Sequence, residues 1–228
     1  MENDRIFIVY DTEGTGLQKS LSPKLNEPAP ITARGSEVCQ IGGIILNDRM
    51  VPQKLFCHYC DTVAADSPTA ALKVHGISQR NVRHYLIGQF LPEIITQYLP
   101  EFLYPNVIFV GYNVEFDMTM VAQSLSNSPI TWRWQPCKSS IVPKRGRHSV
   151  DVGDYVKVGS RYRKLASFSD ELATQRLQFL TYYEKRLPVQ TNCIELLEDT
   201  WEHEHNSFFD AVNTFLLWGD RIWKKKLV

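Results

Sequence analysis

Asp11 and Glu13 stand two residues apart at the end of an apolar run, Arg5 to Tyr10 (Arg-Ile-Phe-Ile-Val-Tyr). Residues i and i+2 of a strand share a face, so both carboxylates point the same way. Anions held together repel unless a cation lies between them. Mg²⁺ or Mn²⁺, hard ions that take oxygen ligands, suit that place. Alone, such a D-x-E step is more often a polar turn facing water. Asp117 is a third acid, in the first turns of a helix for which Asn113 is a good N-cap. The helix dipole by itself would account for an acid there. His205 and Asp210 complete the set. Asp210 falls one turn inside the clearest helical pattern of the chain, and His205 just precedes it, free to swing into a cleft. An imidazole titrating near neutrality can take and release a proton.

These residues are far apart in sequence, so the elements between them must bring them together. Strands are expected over Arg5–Tyr10, Val38–Leu46 and Val51–Val63, the last two joined by an Asn47-Asp48-Arg49 turn, with a fourth at Asn106–Val110. Helices are expected after Ser78, between Gly88 and Leu99 with Pro92 in the first turn, from Asn113 to about Ser126, from Lys164 to Leu177, and over Asn206–Lys225. Gln18 to Ser36 reads as a long loop and Ser128 to Gly159 as irregular. Strands followed by helices around a further strand indicate an α/β fold in a single domain spanning residues 1–228.

Composition narrows the function classes. The chain has 228 residues, 43% hydrophobic, with 11 Phe, 10 Tyr and 5 Trp, which is ample material for a core and argues against disorder. It contains no apolar run of about 18 residues, so no membrane span is expected. The N-terminal Met-Glu-Asn-Asp lacks signal-peptide character. With five cysteines, an odd number, reduced thiols in the cytoplasm are the expected state. Cys57-His58-Tyr59-Cys60 has a zinc-knuckle look. On a strand, however, residues three apart face opposite ways, and no second C-x-x-C follows at zinc-finger distance.

Three blocks carry a resemblance: Tyr10-Asp11-Thr12-Glu13-Gly14-Thr15-Gly16-Leu17, Val110-Gly111-Tyr112-Asn113-Val114-Glu115-Phe116-Asp117, and His205-Asn206-Ser207-Phe208-Phe209-Asp210-Ala211. In this order they resemble the DnaQ-like, DEDDh class of 3′–5′ exonucleases, and Val74-His75-Gly76-Ile77-Ser78 resembles a segment found between the first two. The His five positions before the last Asp fits the histidine subtype, and Asn206 occupies the place of the alternative tyrosine. The resemblance implies an RNase H-like mixed β-sheet flanked by α-helices. It also implies two divalent ions, Mg²⁺ or Mn²⁺, held by Asp11, Glu13, Asp117 and Asp210, with His205 as general base. The expected substrate is the 3′ end of single-stranded DNA, with RNA or short oligonucleotides as alternatives. A polymerase-associated proofreading subunit, a homo-oligomer and a catalytically silent nucleic-acid-binding module are further alternatives, the last opposed by the intact five-residue set.

Substrate contacts are expected beside these blocks, from Thr12, Gly14, Leu17 and Phe116. Gly14 stands where relatives often carry a larger residue, which would loosen packing on the terminal base. A net charge of zero excludes a uniformly basic nucleic-acid binder but hides a local asymmetry. Nine of the 25 basic residues and two of the 25 acidic ones fall in Thr131–Leu165, interleaved with Trp132, Trp134, Tyr155 and Tyr162. Phosphate contacts plus stacking grip single strands, so Lys144, Arg145 and Arg147 are expected to touch substrate.

Overall fold

The computed structural model describes residues 5–16, 36–63, 69–86, 89–127, 149–156, 163–183, 185–187, 189–192 and 205–220. Six strands form one mixed sheet: β1 (Ile6–Gly14), β2 (Val38–Leu46), β3 (Pro52–Tyr59), β4 (Val107–Gly111), β5 (Ser149–Asp151) and β6 (Val189–Thr191). Their spatial order is β5-β4-β1-β2-β3-β6. β1, β2 and β3 pair antiparallel, whereas β4, β5 and β6 each join in parallel. The helices are α1 (Thr69–His75), α2 (Gln79–Tyr85), α3 (Leu91–Tyr98), α4 (Val114–Asn127), α5 (Ser169–Tyr183) and α6 (Ser207–Trp218).

Both faces of the sheet are covered, which explains why β2 is buried along its whole length and reads as an apolar run interrupted by Gln40 alone. On one face Ile8, Tyr10, Ile41 and Phe56 pack with Ile94 and Ile95 of α3 and with Met118 and Val121 of α4. Tyr10 meets the rings of Phe102 and Phe109 edge-on at 5.6 and 5.7 Å. On the other face Val9, Ile44, Leu55 and Val110 pack with Leu172 and Phe179 of α5 and with Phe208, Val212 and Leu217 of α6. The α/β fold expected from the sequence is present.

Several boundaries differ from those expected. β1 runs on to Gly14, because β2 continues to pair with it after β4 has ended, so Asp11 and Glu13 lie within a strand and not in a turn. α1 and the three-residue strands β5 and β6 have no counterpart among the expected elements: the strands are too short to carry an alternation, and each is fixed by its neighbour's ladder. The Lys164 helix begins as a 3₁₀ turn, Leu165–Phe168, and continues in α5 to Tyr183. Cys57 and Cys60 belong to clusters on opposite faces, as strand geometry requires, and both are free thiols. Cys137, Cys193 and His203 lie outside the described residues, as does most of the 18–36 loop. No described helix is long and apolar enough to cross a membrane.

His58 of β3 is, among the described residues, the one fully enclosed imidazole with neither ring nitrogen bonded. It stacks on Tyr98 at 4.8 Å, and burial, reinforced by the charge of Lys54, lowers its pKa to about 4. The neutral ring is therefore favoured in the fold. Its stability contribution is complete above the unfolded pKa near 6.5 and is lost as pH falls toward 4. Replacing His58→Phe should remove this acid sensitivity. Urea unfolding at pH 7 and pH 5 should show wild type losing about 2 kcal/mol more than the variant over that interval.

Candidate active site

The site lies at the end of the sheet where β1 finishes. Asp11 is half-buried and Glu13 buried, with the intervening Thr12 buried as well. Beyond Val9 the strand has outrun β4, and the backbone there needs another partner. Asp117 supplies it. Its Oδ1 accepts from the Thr12 N–H at 3.0 Å and from the Thr12 hydroxyl at 2.7 Å. Thr12, expected to touch substrate, thus spends its side chain fixing an acid. Asp117 is brought there by α4, whose entry is set by Asn113 in a left-handed conformation (φ 62°) that asparagine tolerates. The Asn113 N–H donates to Asp151 Oδ1 at 3.0 Å, so β5 also holds the turn.

α6 brings the remaining two groups. Asn206 caps it, its side chain accepting from the N–H groups of Phe208 (3.0 Å) and Phe209 (3.3 Å). Gln40 of β2 accepts from both the N–H and the hydroxyl of Ser207, each at 2.9 Å. Gly42 makes this approach feasible: a Cβ there would lie 2.2 Å from the Phe208 nitrogen and 2.5 Å from its Cα. His205 precedes the cap, exposed and with φ 67°. One ring nitrogen of His205 and one oxygen each of Glu13 and Asp210 lie within 4.8 Å of one another, a spacing at which a single cation can be held. Among the described residues this is the one such group, and it contains no cysteine.

The end of β1 is braced from behind. The register shifts there, Glu13 facing Gln40 and Gly14 facing Val38, so Cys39 is the extra residue of a bulge. The Cys39 thiol donates to the Glu13 carbonyl at 3.3 Å. His75 Nδ1 accepts from the Ile77 N–H at 3.0 Å, which places the ring proton on Nε2, 3.2 Å from the Gly14 carbonyl. Gly76, with φ +72°, permits the turn that aims the ring. A Cβ at Gly14 would meet the Met120 methyl at 2.2 Å, so the space left by this glycine is filled from α4. Phe116 is half-buried against the core cluster of that face. Leu17, Lys144, Arg145 and Arg147 lie outside the described residues.

A cleft of about 190 Å³ is lined by Asp11, His205 and Asp210 and by a second set of residues that includes Tyr112, Lys164 and Ser169. The Tyr112 hydroxyl donates to the Arg163 carbonyl and steadies that second set. Burial is the largest cause raising the pKa of Asp11, Glu13 and Asp117, Asp117 to about 7. Mutual repulsion adds to it at each, while the Thr12 bonds oppose it at Asp117. The protein alone does not neutralise its own acids, and the donors are oxygen and imidazole; the set fits divalent metal.

No family model matches the chain, and no curated protein matches it. Solved structures do. E. coli Exonuclease I in complex with a dT13 oligonucleotide gives a TM-score of 0.54 at 16% identity, covering 97% of this chain and 42% of that one. Its complex with a dA16 oligonucleotide gives 0.51 at 17% identity, covering 96% and 42%. Over the matched part the chain has the same fold as these structures. Exonuclease I from Methylocaldum szegediense gives 0.50 at 17% identity, covering 96% of this chain and 41% of the other. The chain thus spans about two fifths of the length of these exonuclease I chains. The likeness is one of fold, an α/β mixed sheet flanked by helices, consistent with an RNase H-like arrangement.

Gln40, Gly42, Cys39 and Asp151 have no motif that marks them, and their roles depend on register and close approach. The sharpest test of this framework is Gly42→Ala. Because the clash is with backbone, α6 must lift from β2, at a cost of about 1–3 kcal/mol, carrying His205 and Asp210 with it. Thermal unfolding should register that loss. A second expectation follows from repulsion: in EDTA, and in the His58→Phe background that removes the opposing His58 contribution, stability should fall as pH rises from about 4 to 7, because the raised Asp117 pKa favours the protonated form in the fold. Mg²⁺ should reverse that fall, and Asp117→Asn should reduce it in pH-dependent melts, the remainder belonging to Asp11 and Glu13.

Proposed function

We propose that the protein is a metal-dependent 3′–5′ exonuclease of the DnaQ-like DEDDh kind, removing nucleotides from the 3′ end of single-stranded DNA. The observation carrying this reading is the convergence of Asp11, Glu13 and Asp117 with His205 and Asp210, from three distant segments, at one end of a sheet folded like the matched part of exonuclease I.

In this reading Asp11, Glu13, Asp117 and Asp210 hold two divalent ions, Mg²⁺ or Mn²⁺. Bound there, such ions lower the pKa of water and stabilise charge on the attacking and leaving oxygens. Asp11 lies close enough to Asp117, Asp210 and Glu13 for each of them to raise its pKa, which suits it to be shared between the ions. Asp117 keeps its geometry through the two Thr12 bonds, both made by Oδ1, so Oδ2 is the oxygen that would bind an ion. His205 stands at the cleft margin beside Glu13 and Asp210, where its ring nitrogen takes the proton of the attacking water and passes it to solvent. Lys164 lines the same cleft as Asp11 and Asp210 and compensates phosphate charge as substrate enters. Single-stranded DNA is favoured because the exonuclease I neighbours are complexes with dT13 and dA16. The basic segment around Lys144, Arg145 and Arg147 would grip the strand behind its end.

The test uses 5′-labelled single-stranded DNA, duplex DNA and RNA with Mg²⁺ or Mn²⁺, with and without chelator, resolved on a gel. Stepwise shortening from the 3′ end, abolished by EDTA, is expected, with DNA preferred to RNA. Asp11→Asn should reduce cleavage to background while single-strand binding survives. His205→Ala should lower kcat by about 10²–10⁴-fold at neutral pH, the usual worth of a general base. Wild-type turnover by Asp11→Asn would overturn the metal assignment.

A further inference from the structure

At the same end of the sheet, beyond β2, lies a groove of about 700 Å³ lined by Asp61, Arg80, Asn81, Arg83 and His84. Two interactions tie its position to the catalytic end. α1 is latched to the end of β1 through His75 and the Gly14 carbonyl. α2, which follows, packs Val82 with Ile77 and Leu86 against Cys39 of β2 and Tyr59 of β3. With that face buried, Arg80, Asn81 and His84 are exposed on the other. Arg83 is preorganised: its Nε donates to Asp61 Oδ1 at 2.9 Å and another guanidinium nitrogen to the Thr62 carbonyl at 2.6 Å. Residues 69–86 contain Lys73, Arg80, Arg83, His75 and His84 and no acid at all. Exposed Val74 and Tyr85 add apolar surface along the same tract.

Asp61, the acid in this lining, is already paired with Arg83, which leaves Arg80 and His84 as the exposed basic groups of the groove, and a concave site of that character is suited to a polyanion rather than to a neutral ligand. We infer that this groove binds backbone phosphates of the polynucleotide whose 3′ end occupies the carboxylate cleft, an assignment that rests on the exonuclease reading. Two strand spacings separate β1 from β3, about 10 Å. At about 3.4 Å per stacked nucleotide, the groove lies roughly three nucleotides from the scissile bond. It therefore acts on oligonucleotides long enough to reach it and contributes affinity, not chemistry. Arg80 and His84 bind phosphate, and Asp61 and Arg83 keep the groove's shape.

Fluorescence anisotropy in EDTA, where no cleavage occurs, tests this with a 5′-labelled oligothymidylate of about 12 nucleotides over a salt series. Arg80→Glu and the double variant Arg80→Glu/His84→Glu should weaken binding by about tenfold or more. They should also flatten the plot of log affinity against log salt by about 0.7 for each phosphate that is no longer neutralised. Arg49→Glu is the control: it makes the same charge change in an exposed turn at the opposite end of the sheet, and its slope should match wild type. Circular dichroism melts verify that the variants are folded, which the exposure of Arg80 and His84 favours. A double variant that behaves like Arg49→Glu overturns the groove assignment. A wild type that binds with the expected slope difference yet releases no nucleotide with Mg²⁺ or Mn²⁺ overturns the exonuclease reading and leaves the groove standing.

Discussion

Four carboxylates gathered where a buried strand emerges beside a small cleft repel one another, and burial makes the charges of Asp11, Glu13 and Asp117 harder to hold. The architecture around them can be understood as the cost of keeping that arrangement. Asp117 is restrained by both polar atoms of Thr12, Glu13 sits on a bulge whose carbonyl is satisfied by Cys39, and the next carbonyl is held by His75. None of these bonds cancels a negative charge. They prevent the acids from moving apart, which leaves neutralisation to protons or to cations.

The two layers of helix divide the task. α4, packed on one face, delivers Asp117 to the strand that carries Asp11 and Glu13. α6, packed on the other, delivers His205 and Asp210. The second delivery requires the helix to begin almost touching β2, and Gly42 together with Gln40 sets that distance. Left-handed backbone at Asn113 and at His205 marks the two points where chain direction must change abruptly into a helix beside the site. Local strain of this kind costs about 1–3 kcal/mol per residue and persists where the surroundings over-determine it. At Asn113 the Asp151 carboxylate is such a surrounding.

The sequence made the chemistry more legible than its support. Asp11 and Glu13 were readable because a period of two puts them on one face, and Asp210 because the helix after Asn206 is strongly patterned. Their convergence rested on the resemblance of three blocks, since nothing in the spacing of residues 13, 117 and 205 places them together. The strands β5 and β6 were not readable, being held by neighbours rather than by their own three residues. Thr12 shows a similar limit: its buried hydroxyl serves Asp117, a bond that its place between two acids does not announce. Cys39, Gly42 and Asp151 act through register, close approach and a backbone N–H, properties that one sequence does not display. Neutral net charge likewise concealed basic tracts, the α1–α2 groove among them.

The central claim is that the carboxylates are arranged for cations. Anomalous diffraction from a crystal of the protein soaked in Mn²⁺ tests it most directly. Two Mn²⁺ peaks about 3.5–4 Å apart, with Asp11 as their shared ligand and Glu13, Asp117 and Asp210 completing the oxygen shell, are the predicted result. A cleft without a Mn²⁺ peak at saturating concentration, with the acids instead protonated or paired to Lys164, would contradict the account.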